Sequence, residues 1–356
     1  MLIIIWLLLI MLGLVASKSK LVSILDLLFF VVASGFRTHG VDWIVYVAEY
    51  RWAPLQTSAD VKYPGFLVFE HFAYDHGLDF EHFIIFNAIV CGTLLFWAFY
   101  QISENPNALF SMYLLYPFGH EVVQMKSFLA DVIIYVSIPL ILKIRPETKK
   151  WEKIVRIGCY FVLNYIALQC QFSVAFYLIA TAMYLFGSEK FKKNYYIPFV
   201  FIITIIVYSG IFNSLLQSLN SRAKDYIAIN TRFGMLIPIA LSIMIWWLGD
   251  KVIYLSKSAG LTEIKKIPLE NYKKYIECIL LLIPLLCYDI TFNRLWRLFL
   301  VLIYAVFAKF LHLKAIDRNT KGFVGIIFMV IISLIIIYER EFSIIFSFLT
   351  NNKLLG

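Results

Sequence analysis

The sequence predicts an all-α, polytopic membrane protein with about twelve transmembrane helices and two longer extracytoplasmic loops. Three observations predict this class. Hydrophobic residues make up 61% of the 356 residues and charged residues only 15%, whereas about a quarter of a soluble domain is charged. Apolar runs close to the roughly 20 residues of a membrane span recur along the whole chain. Lysine and arginine concentrate in alternate connections between those runs, which is typical of membrane topology.

We expect a single transmembrane domain over residues 1–356, with each apolar run forming one helix. Two pairs of neighbouring runs, around Glu121 and Cys170, have almost no connector, which favours broken or re-entrant helices there. The predicted spans are Leu2–Ala16, Leu21–Gly35, Phe83–Tyr100, Ala108–Val122, Gln124–Leu142, Ile154–Leu168, Gln171–Phe186, Tyr196–Phe212, Gly234–Tyr254, Tyr275–Ile290, Arg297–Leu311 and Phe323–Tyr338.

The first apolar run has no positive charge before it and is followed by Lys18 and Lys20. A cleavable signal peptide carries its positive charge before the apolar stretch, so this order favours a retained helix with an external N-terminus. With both termini outside, the inside connections hold 20 lysines and arginines and the outside segments hold 11. The extracytoplasmic loops are then residues 37–82 and 213–233. The inside connections are Lys18–Lys20, Gln101–Asn107, Lys143–Lys153, Ser188–Tyr195, Lys251–Lys274 and Lys309–Lys321.

The net charge of +9 follows from this topology, because most of the surplus lies in the short inside connections. It therefore does not indicate nucleic-acid binding. The five cysteines lie inside apolar runs or, for Cys170, directly between two of them, and they form no C-x-x-C pair, so neither a disulfide framework nor a metal site is indicated. The sequence contains no nucleotide-binding or hydrolase motif. We therefore predict no cofactor and place any chemistry in or at the membrane.

The first outer loop begins with a pattern that predicts an amphipathic helix over Asp42–Arg51, lying on the outer membrane surface. One face is polar and the adjoining stripe is apolar. The polar face is formed by Asp42, Tyr46 and Glu49, which recur at i, i+4 and i+7. The apolar stripe is formed by Trp43, Val47 and Tyr50. The alternative is that the aromatic residues are an interfacial anchor and that Asp42 only caps the helix.

A group of basic residues lies near the outer ends of the predicted spans, although topology works against positive charge on that side. Converging arginines suit a phosphate or diphosphate, which they bind through bidentate, charge-assisted hydrogen bonds. We expect these residues to share one cavity that opens to the extracytoplasmic side. The alternative is that each side chain snorkels to the interface. The residues are Arg37, Lys126, Arg222, Arg232 and Arg294, with Lys224 beside them.

Three residues near the outer ends of spans are candidates for a general base. A neighbouring histidine and glutamate suit a base with its orienting partner, although a solvated helix end would look the same. In order of preference the candidates are Asp42, Glu121 and His120. Asp131 and Asp289 fall inside predicted spans, where a carboxylate is a functional candidate. Asp131 could also form a salt bridge with Lys126 along one helix.

Several short segments resemble motifs of a known family. Residues 36–46 contain Phe36-Arg37, Gly40, Asp42-Trp43 and Tyr46, which match the pattern F-R…G-x-D-[YW]-x-x-Y after a second span. Residues 126–130 are similar to R-Q-x-[LI]-A, with Lys126 in place of arginine. Residues 171–173 are similar to H-x-S, with Gln171 in place of histidine, and Arg294 stands where an arginine often precedes a late helix. These patterns resemble the EpsG family of Wzy-type bacterial polysaccharide polymerases.

The resemblance implies a membrane glycosyltransferase that joins undecaprenyl-diphosphate-linked oligosaccharide repeat units into O-antigen or a related surface polysaccharide. It implies a multi-pass protein of the bacterial inner membrane that acts at the periplasmic face. The implied partners are the lipid-linked oligosaccharide and the lipid bilayer, with a chain-length regulator as a further candidate. Two alternatives stay open: another polyprenyl-linked-sugar glycosyltransferase, and a transporter or flippase of lipid-linked saccharides. The resemblance and the placement of basic residues together give the candidate substrate-binding residues. Those that match family motifs are Arg37, Tyr46, Lys126, Gln171 and Arg294, and those chosen by charge and position alone are Arg222 and Arg232.

Overall fold

The computed structural model describes residues 1–40, 42–187, 195–209 and 235–355. Within these ranges the regular structure is helical apart from a hairpin of β1 (Glu263–Ile264) and β2 (Ile267–Pro268). The predicted second outer loop lies outside the described residues, and so do Arg222, Lys224 and Arg232. The α-helices are α1 (Leu2–Val15), α2 (Lys20–Gly35), α3 (Trp43–Trp52), α4 (Pro64–Asp75), α5 (Phe80–Ile102), α6 (Pro106–Leu115), α7 (Phe118–Val123), α8 (Met125–Leu142), α9 (Lys150–Cys170), α10 (Ala175–Phe186), α11 (Tyr196–Tyr208), α12 (Leu236–Ser258), α13 (Leu269–Ile276), α14 (Leu282–Tyr288), α15 (Trp296–Leu311), α16 (Arg318–Glu339) and α17 (Glu341–Thr350).

Four of these helices, α5, α8, α12 and α16, are long and apolar enough to cross a membrane. Shorter apolar helices accompany them, namely Leu2–Val15, Phe172–Phe186, Tyr196–Val207 and Glu341–Thr350. The all-α membrane fold is therefore confirmed, whereas the number of twelve spans stays a prediction.

The predicted fourth span is divided into α6 and α7. Pro117 has no N–H to continue a helix and disfavours a helical residue before it, and Tyr116 is accordingly extended (φ −163°, ψ 133°). A second interruption lies at Gln171, where α9 ends and a 3-10 turn over Phe172–Val174 leads into α10. The expected interruption around Glu121 is the junction where α7 ends at Val123 and α8 begins at Met125, and the one around Cys170 is also present. The break at Pro117 is an additional one inside the predicted span.

Contacts between the connections define one end of the molecule, which we call the basic end. Residues from five of the six predicted inside connections meet there, and the sixth lies almost wholly outside the described residues. These contacts agree with the prediction that the lysine-rich and arginine-rich connections share one side. The contacts are Asn107 to Ser19 (2.9 Å), Lys143 to Gln101 (2.7 Å), Lys309 to Glu104 (2.5 Å) and Arg145 to Glu263.

The opposite end collects the first outer loop and both ends of the chain. Arg37 pairs with Asn352 in an isolated antiparallel bridge. At the N-terminus, Trp6 packs edge-on against Phe342 and Phe346 of α17, with ring centroids 6.0 and 6.2 Å apart. The two ends of the chain therefore lie on the same side of the bundle, as the topology predicts. Helix α17 was not predicted; it follows α16 after the left-handed residue Arg340 (φ 56°).

Helix α3 forms where the sequence predicts it, but its buried face differs from the prediction. Tyr50 is 3% exposed, stacks on Phe83 at a centroid distance of 4.7 Å, and donates to the Leu78 carbonyl at 2.6 Å. Tyr46 is also buried, whereas Ile44 is 83% exposed. Placing Tyr50 on a membrane-facing stripe is therefore wrong, because α5 provides an aromatic surface that covers it.

Candidate functional site

An open cavity of about 360 Å³ lies at the end of the molecule away from the basic end. It is bounded by the junction of α7 and α8, by the 3-10 segment Ile290–Leu295 with the start of α15, and by the turn between α16 and α17. We call it the arginine cavity, because three arginines line it. Its lining residues are His120, Gln124, Thr291, Asn293, Arg294, Arg297, Tyr338, Glu339 and Arg340.

Arg297 forms the floor of the arginine cavity. It is 2% exposed, its Nη1 lies 3.5 Å from Asp131 Oδ2, and its Nη2 donates to Gln124 Oε1 at 2.9 Å. The Nε atom is buried and has no partner among the described residues. A buried charge is tolerated only when it is paired, so Asp131 is the counterion of Arg297. The helical salt bridge considered between Asp131 and Lys126 is therefore wrong.

Arg294 projects into the same cavity with a free guanidinium fork. Its Nε donates to the Thr291 carbonyl at 2.9 Å, and no described carboxylate forms an ion pair with it. Burial and the neighbouring Arg297 lower the pKa of Arg294, while Asp131 and Asp289 act in the opposite direction. The fork is thus available for an anionic ligand. Arg340 adds a third, exposed cation at the cavity rim.

His120, on α7, lines the same cavity as these arginines. Its Nε2 lies 2.9 Å from the Glu339 carbonyl oxygen and 3.5 Å from Glu339 Oε2. A carbonyl oxygen only accepts, so the proton is on Nε2 and Nδ1 is left as an acceptor. Asn293 Nδ2 donates to the Glu339 carboxylate and holds it in place. The His120 ring is thus held through the Glu339 backbone carbonyl, with the Glu339 carboxylate beside it, and Nδ1 is the nitrogen left free to accept a proton.

The backbone that carries His120 is held by Glu341. The Gly119 N–H donates to Glu341 Oε1 at 2.5 Å, and the His120 N–H lies 3.3 Å from Glu341 Oε2. These N–H groups belong to the first turn of α7, where a helix has no internal acceptors for them. A carboxylate from α17 therefore caps α7 and places His120 at the cavity.

Glu121, the neighbour of His120, points away from the cavity. It is 0% exposed, and its two carboxylate oxygens accept hydrogen bonds from Tyr113 at 2.6 Å and Tyr135 at 2.5 Å. The predicted His–Glu pair is therefore divided by the structure: His120 lines the cavity and Glu121 lies in the interior. Enclosed by two tyrosines, Glu121 has no access to an acceptor hydroxyl.

A second cavity, of about 330 Å³, lies between the first outer loop and the first turn of α8. We call it the lysine cavity, because Lys126 projects into it. Lys126 Nζ forms an ion pair with Glu49 at 2.7 Å. The remaining lining residues are Gln56, Asp60, Val61, Lys62, Tyr63, Phe66, Leu67 and Glu70. Tyr46 borders the site from α3, with its ring centroid 5.7 Å from Lys126 Nζ.

The predicted cations do not share one cavity. Arg37 is 3% exposed, donates to the Ser34 carbonyl at 2.7 Å, and lines a third, smaller cavity of about 180 Å³ beside Trp43. Lys126 and Arg294 line the lysine and arginine cavities. The single shared cavity is therefore wrong for these three residues, because α2, α8 and the 3-10 segment before α15 turn them in different directions. Arg222 and Arg232 lie outside the described residues.

Two further predicted residues lie away from the arginine cavity. Asp42 precedes α3 without forming the expected cap bond, and it lines none of the three cavities. Gln171 is 8% exposed and donates from Nε2 to Ser127 Oγ at 3.1 Å, which joins the end of α9 to α8. Within the described residues, no group of three or more histidines, cysteines, aspartates or glutamates is arranged to hold a metal ion.

Sequence reasoning missed most of the charged residues that complete the site. Arg297 was assigned to the end of a span, although an ionisable residue in an apolar run is a functional candidate by default. No pattern in the sequence indicated that Gln124 belongs to the site. The remaining signal is the run Glu339-Arg340-Glu341, directly after an apolar stretch. It supplies the carbonyl that holds His120, the cation at the cavity rim and the carboxylate that caps α7.

Comparison with known proteins agrees with the pattern of motifs. The model of the EpsG family matches residues 20–350, which is nearly the whole chain. No curated protein and no solved structure matches the chain significantly. The apolar helices and the length of the family match together show that the chain is a membrane protein belonging to the EpsG family, a family of Wzy-like polysaccharide polymerases.

Proposed function

We propose that this protein joins undecaprenyl-diphosphate-linked oligosaccharide repeat units into O-antigen or a related surface polysaccharide, at the periplasmic face of the bacterial inner membrane. The observation that carries the proposal is the arginine cavity, which is lined by three arginines and by a histidine whose ring is held by the Glu339 backbone carbonyl. In our proposal the end that holds this cavity faces the periplasm.

The arginines suit a diphosphate leaving group. Arg297 is fixed by Asp131 and Gln124, and Arg294 presents a guanidinium fork with no carboxylate partner among the described residues. The planar guanidinium group donates two parallel, charge-assisted hydrogen bonds, which fit two oxygens of one phosphate. Because Arg297 is almost completely buried at the cavity floor, its bonds to a phosphate are stronger there than on an exposed surface. The cations therefore stabilise the negative charge that develops as the diphosphate leaves.

The reaction is a glycosyl transfer. The bond between the anomeric carbon of the growing chain's reducing-end sugar and the diphosphate oxygen breaks, and its electron pair leaves with undecaprenyl diphosphate. An acceptor hydroxyl of the incoming unit bonds to that carbon and gives up its proton. We assign the proton to His120 Nδ1, because Nε2 is already bonded to the Glu339 carbonyl. Asp42 and Glu121 are replaced as base candidates on geometry.

An apolar groove provides a place for the polyprenyl tail. Its volume is about 610 Å³, and it lies between α1, α6, α15 and α16. Along α16 it extends from Gly322 to Leu334. Tyr338 and Glu339, one helical turn beyond Leu334, line the arginine cavity. A lipid diphosphate could therefore lay its tail in the groove and its headgroup in the cavity.

The test replaces Arg294 in a deletion strain and follows the surface polysaccharide by gel electrophoresis. Arg294→Ala should abolish the ladder and leave a single repeat unit, with a loss of about 100-fold or more in transfer rate. Arg294→Lys should rescue poorly, because lysine lacks the fork. The matched control is Arg51→Ala, an exposed arginine of α3 at the same end, which should keep the ladder.

Other outcomes of the deletion would point to the alternatives. A deletion strain without even one repeat unit on its surface would indicate an earlier glycosyltransferase or a flippase. A full ladder in Arg294→Ala, with normal protein level, would remove the arginine cavity from the reaction.

A further inference from the structure

The lysine cavity combines aromatic surface with a held cation. Lys126 Nζ lies 5.5 Å from the ring centroids of both Tyr63 and Phe66, and 2.7 Å from Glu49 Oε1. Its charge is thus compensated, and Tyr63 remains half-buried at the cavity wall. An aromatic ring beside fixed polar groups offers an apolar face and neighbouring hydrogen-bonding groups. A pyranose ring has the complementary surface, with an apolar face of C–H groups and hydroxyl groups around its edge.

Two carboxylate oxygens of this cavity have no donor. Glu70 is 4% exposed and its Oε1 has no partner within the part of the chain that the structure describes. Glu49 Oε2 is also buried and unpartnered there. Buried acceptors are nearly always satisfied, because leaving them without a donor is costly. The two oxygens therefore indicate a ligand that brings its own donors.

The lysine cavity lies next to the arginine cavity. Gln124 and Lys126, two residues apart at the start of α8, line the arginine cavity and the lysine cavity. The two cavities therefore flank the first turn of α8.

We propose that the lysine cavity is a saccharide subsite, which takes a neutral or amino sugar of the acceptor unit by stacking on Tyr63 and donating hydroxyl or amino protons to Glu49 and Glu70. This assignment rests on the proposed polymerase function, since it supplies the acceptor beside the diphosphate. The cavity is lined by three acidic residues, Glu49, Asp60 and Glu70, and by two lysines, Lys62 and Lys126. This excess of acidic groups disfavours acidic sugars by charge repulsion.

The test measures binding of methyl glycosides to the full-length protein in nanodiscs by saturation-transfer NMR. The panel contains methyl glycosides of neutral hexoses, 6-deoxyhexoses, N-acetylhexosamines and glucuronic acid. At least one uncharged glycoside should bind and the glucuronide should not. Glu70→Gln, which keeps the side-chain volume, should weaken binding about tenfold, as expected for a lost hydrogen bond to a charged group. Tyr63→Ala should weaken it similarly, while Asp75→Asn, an exposed acid of the same helix α4, should not.

Three results would overturn the assignment: no uncharged glycoside binds, binding is equal in wild type and Glu70→Gln, or excess pyrophosphate or Arg294→Ala abolishes it. The last would place the sugar in the arginine cavity. Failure of the proposed function is seen separately, in the polysaccharide ladder. Glycoside binding that depends on Glu70 would support the subsite even if Arg294→Ala left the ladder intact.

Discussion

Arg297 shows how a single residue can organise a site from the interior. It is fully enclosed, and its charge is balanced by Asp131 and by the carbonyl oxygen of the Gln124 side chain. Breaking such a buried pair by removing one partner typically costs about 3–5 kcal/mol, because a charge is left without compensation. Arg297 therefore contributes positive charge to the cavity and also holds the Gln124 side chain in place at the cavity wall.

Glu70 is a residue whose charge state should affect stability. Burial raises its pKa to about 7, with Glu49 acting in the same direction and Lys126 against it. Because the folded pKa lies above that of the unfolded chain, the folded protein binds the proton more tightly. Stability then falls as pH rises from about 4.5 to above 7, by up to about 3 kcal/mol.

We therefore expect the thermal midpoint of the wild type, relative to that of Glu70→Gln, to decrease between pH 5 and pH 8 in detergent without ligand. The groups that face Glu70, namely Glu49, Lys126, Asp60 and Lys62, are unchanged in this comparison. Asp75→Asn is the control and should follow the wild type at each pH. Parallel curves for wild type and Glu70→Gln would contradict the assigned burial of the charge.

At the scale of the helix, α7 depends on a contact far away in sequence. It has six residues, too few for a helix to be stable by itself, and Glu341 caps its first N–H groups. The cap requires a close approach at Gly119. A Cβ at this position would lie 2.9 Å from Glu341 Oε1 and 2.8 Å from Ile345 Cγ1.

Gly119→Ala should therefore displace the Glu341 carboxylate, lower the thermal midpoint and reduce the polysaccharide ladder, because His120 moves with the cap. Both changes are measured on the same variant, by thermal unfolding and by gel. Gly158→Ala is the matched control on α9, since an added Cβ there meets open space. A normal polysaccharide ladder and a normal thermal midpoint in Gly119→Ala would mean that α7 does not need the cap by Glu341.

For the whole molecule, the two ends carry different chemistry. The inside connections that the structure describes meet at the basic end, while the arginine cavity and both termini lie at the other. Positive charge in short connections is retained on the cytoplasmic side during insertion. The cavity should consequently open on the opposite, extracytoplasmic side.

Reporter fusions test this sidedness. Fusions after Asp60 and at the C-terminus should report the extracytoplasmic compartment, and a fusion after Lys150 should report the cytoplasm. A fusion after Arg222 should agree with the Asp60 fusion. If Lys150 and Asp60 reported the same compartment, the predicted topology would be wrong.

The sequence by itself determined the fold class, the approximate course of the helices and the family. Apolar runs and the distribution of lysine and arginine are local properties of the chain. For the same reason α3 could be predicted from its spacing, and His120 and Arg294 could be chosen as candidates from their places at helix ends.

Only the tertiary structure decided which of these residues form a site. Asp131 and Arg297 are 166 residues apart, and Gly119 and Glu341 are 222 apart, so no local pattern connects them. Nor could spacing show that Glu121 turns inward, that Arg37 and Lys126 face separate cavities, or that Tyr50 packs on α5. Those outcomes depend on which helix lies opposite, because burial and ion pairing are set by long-range packing rather than by the periodicity of a single helix.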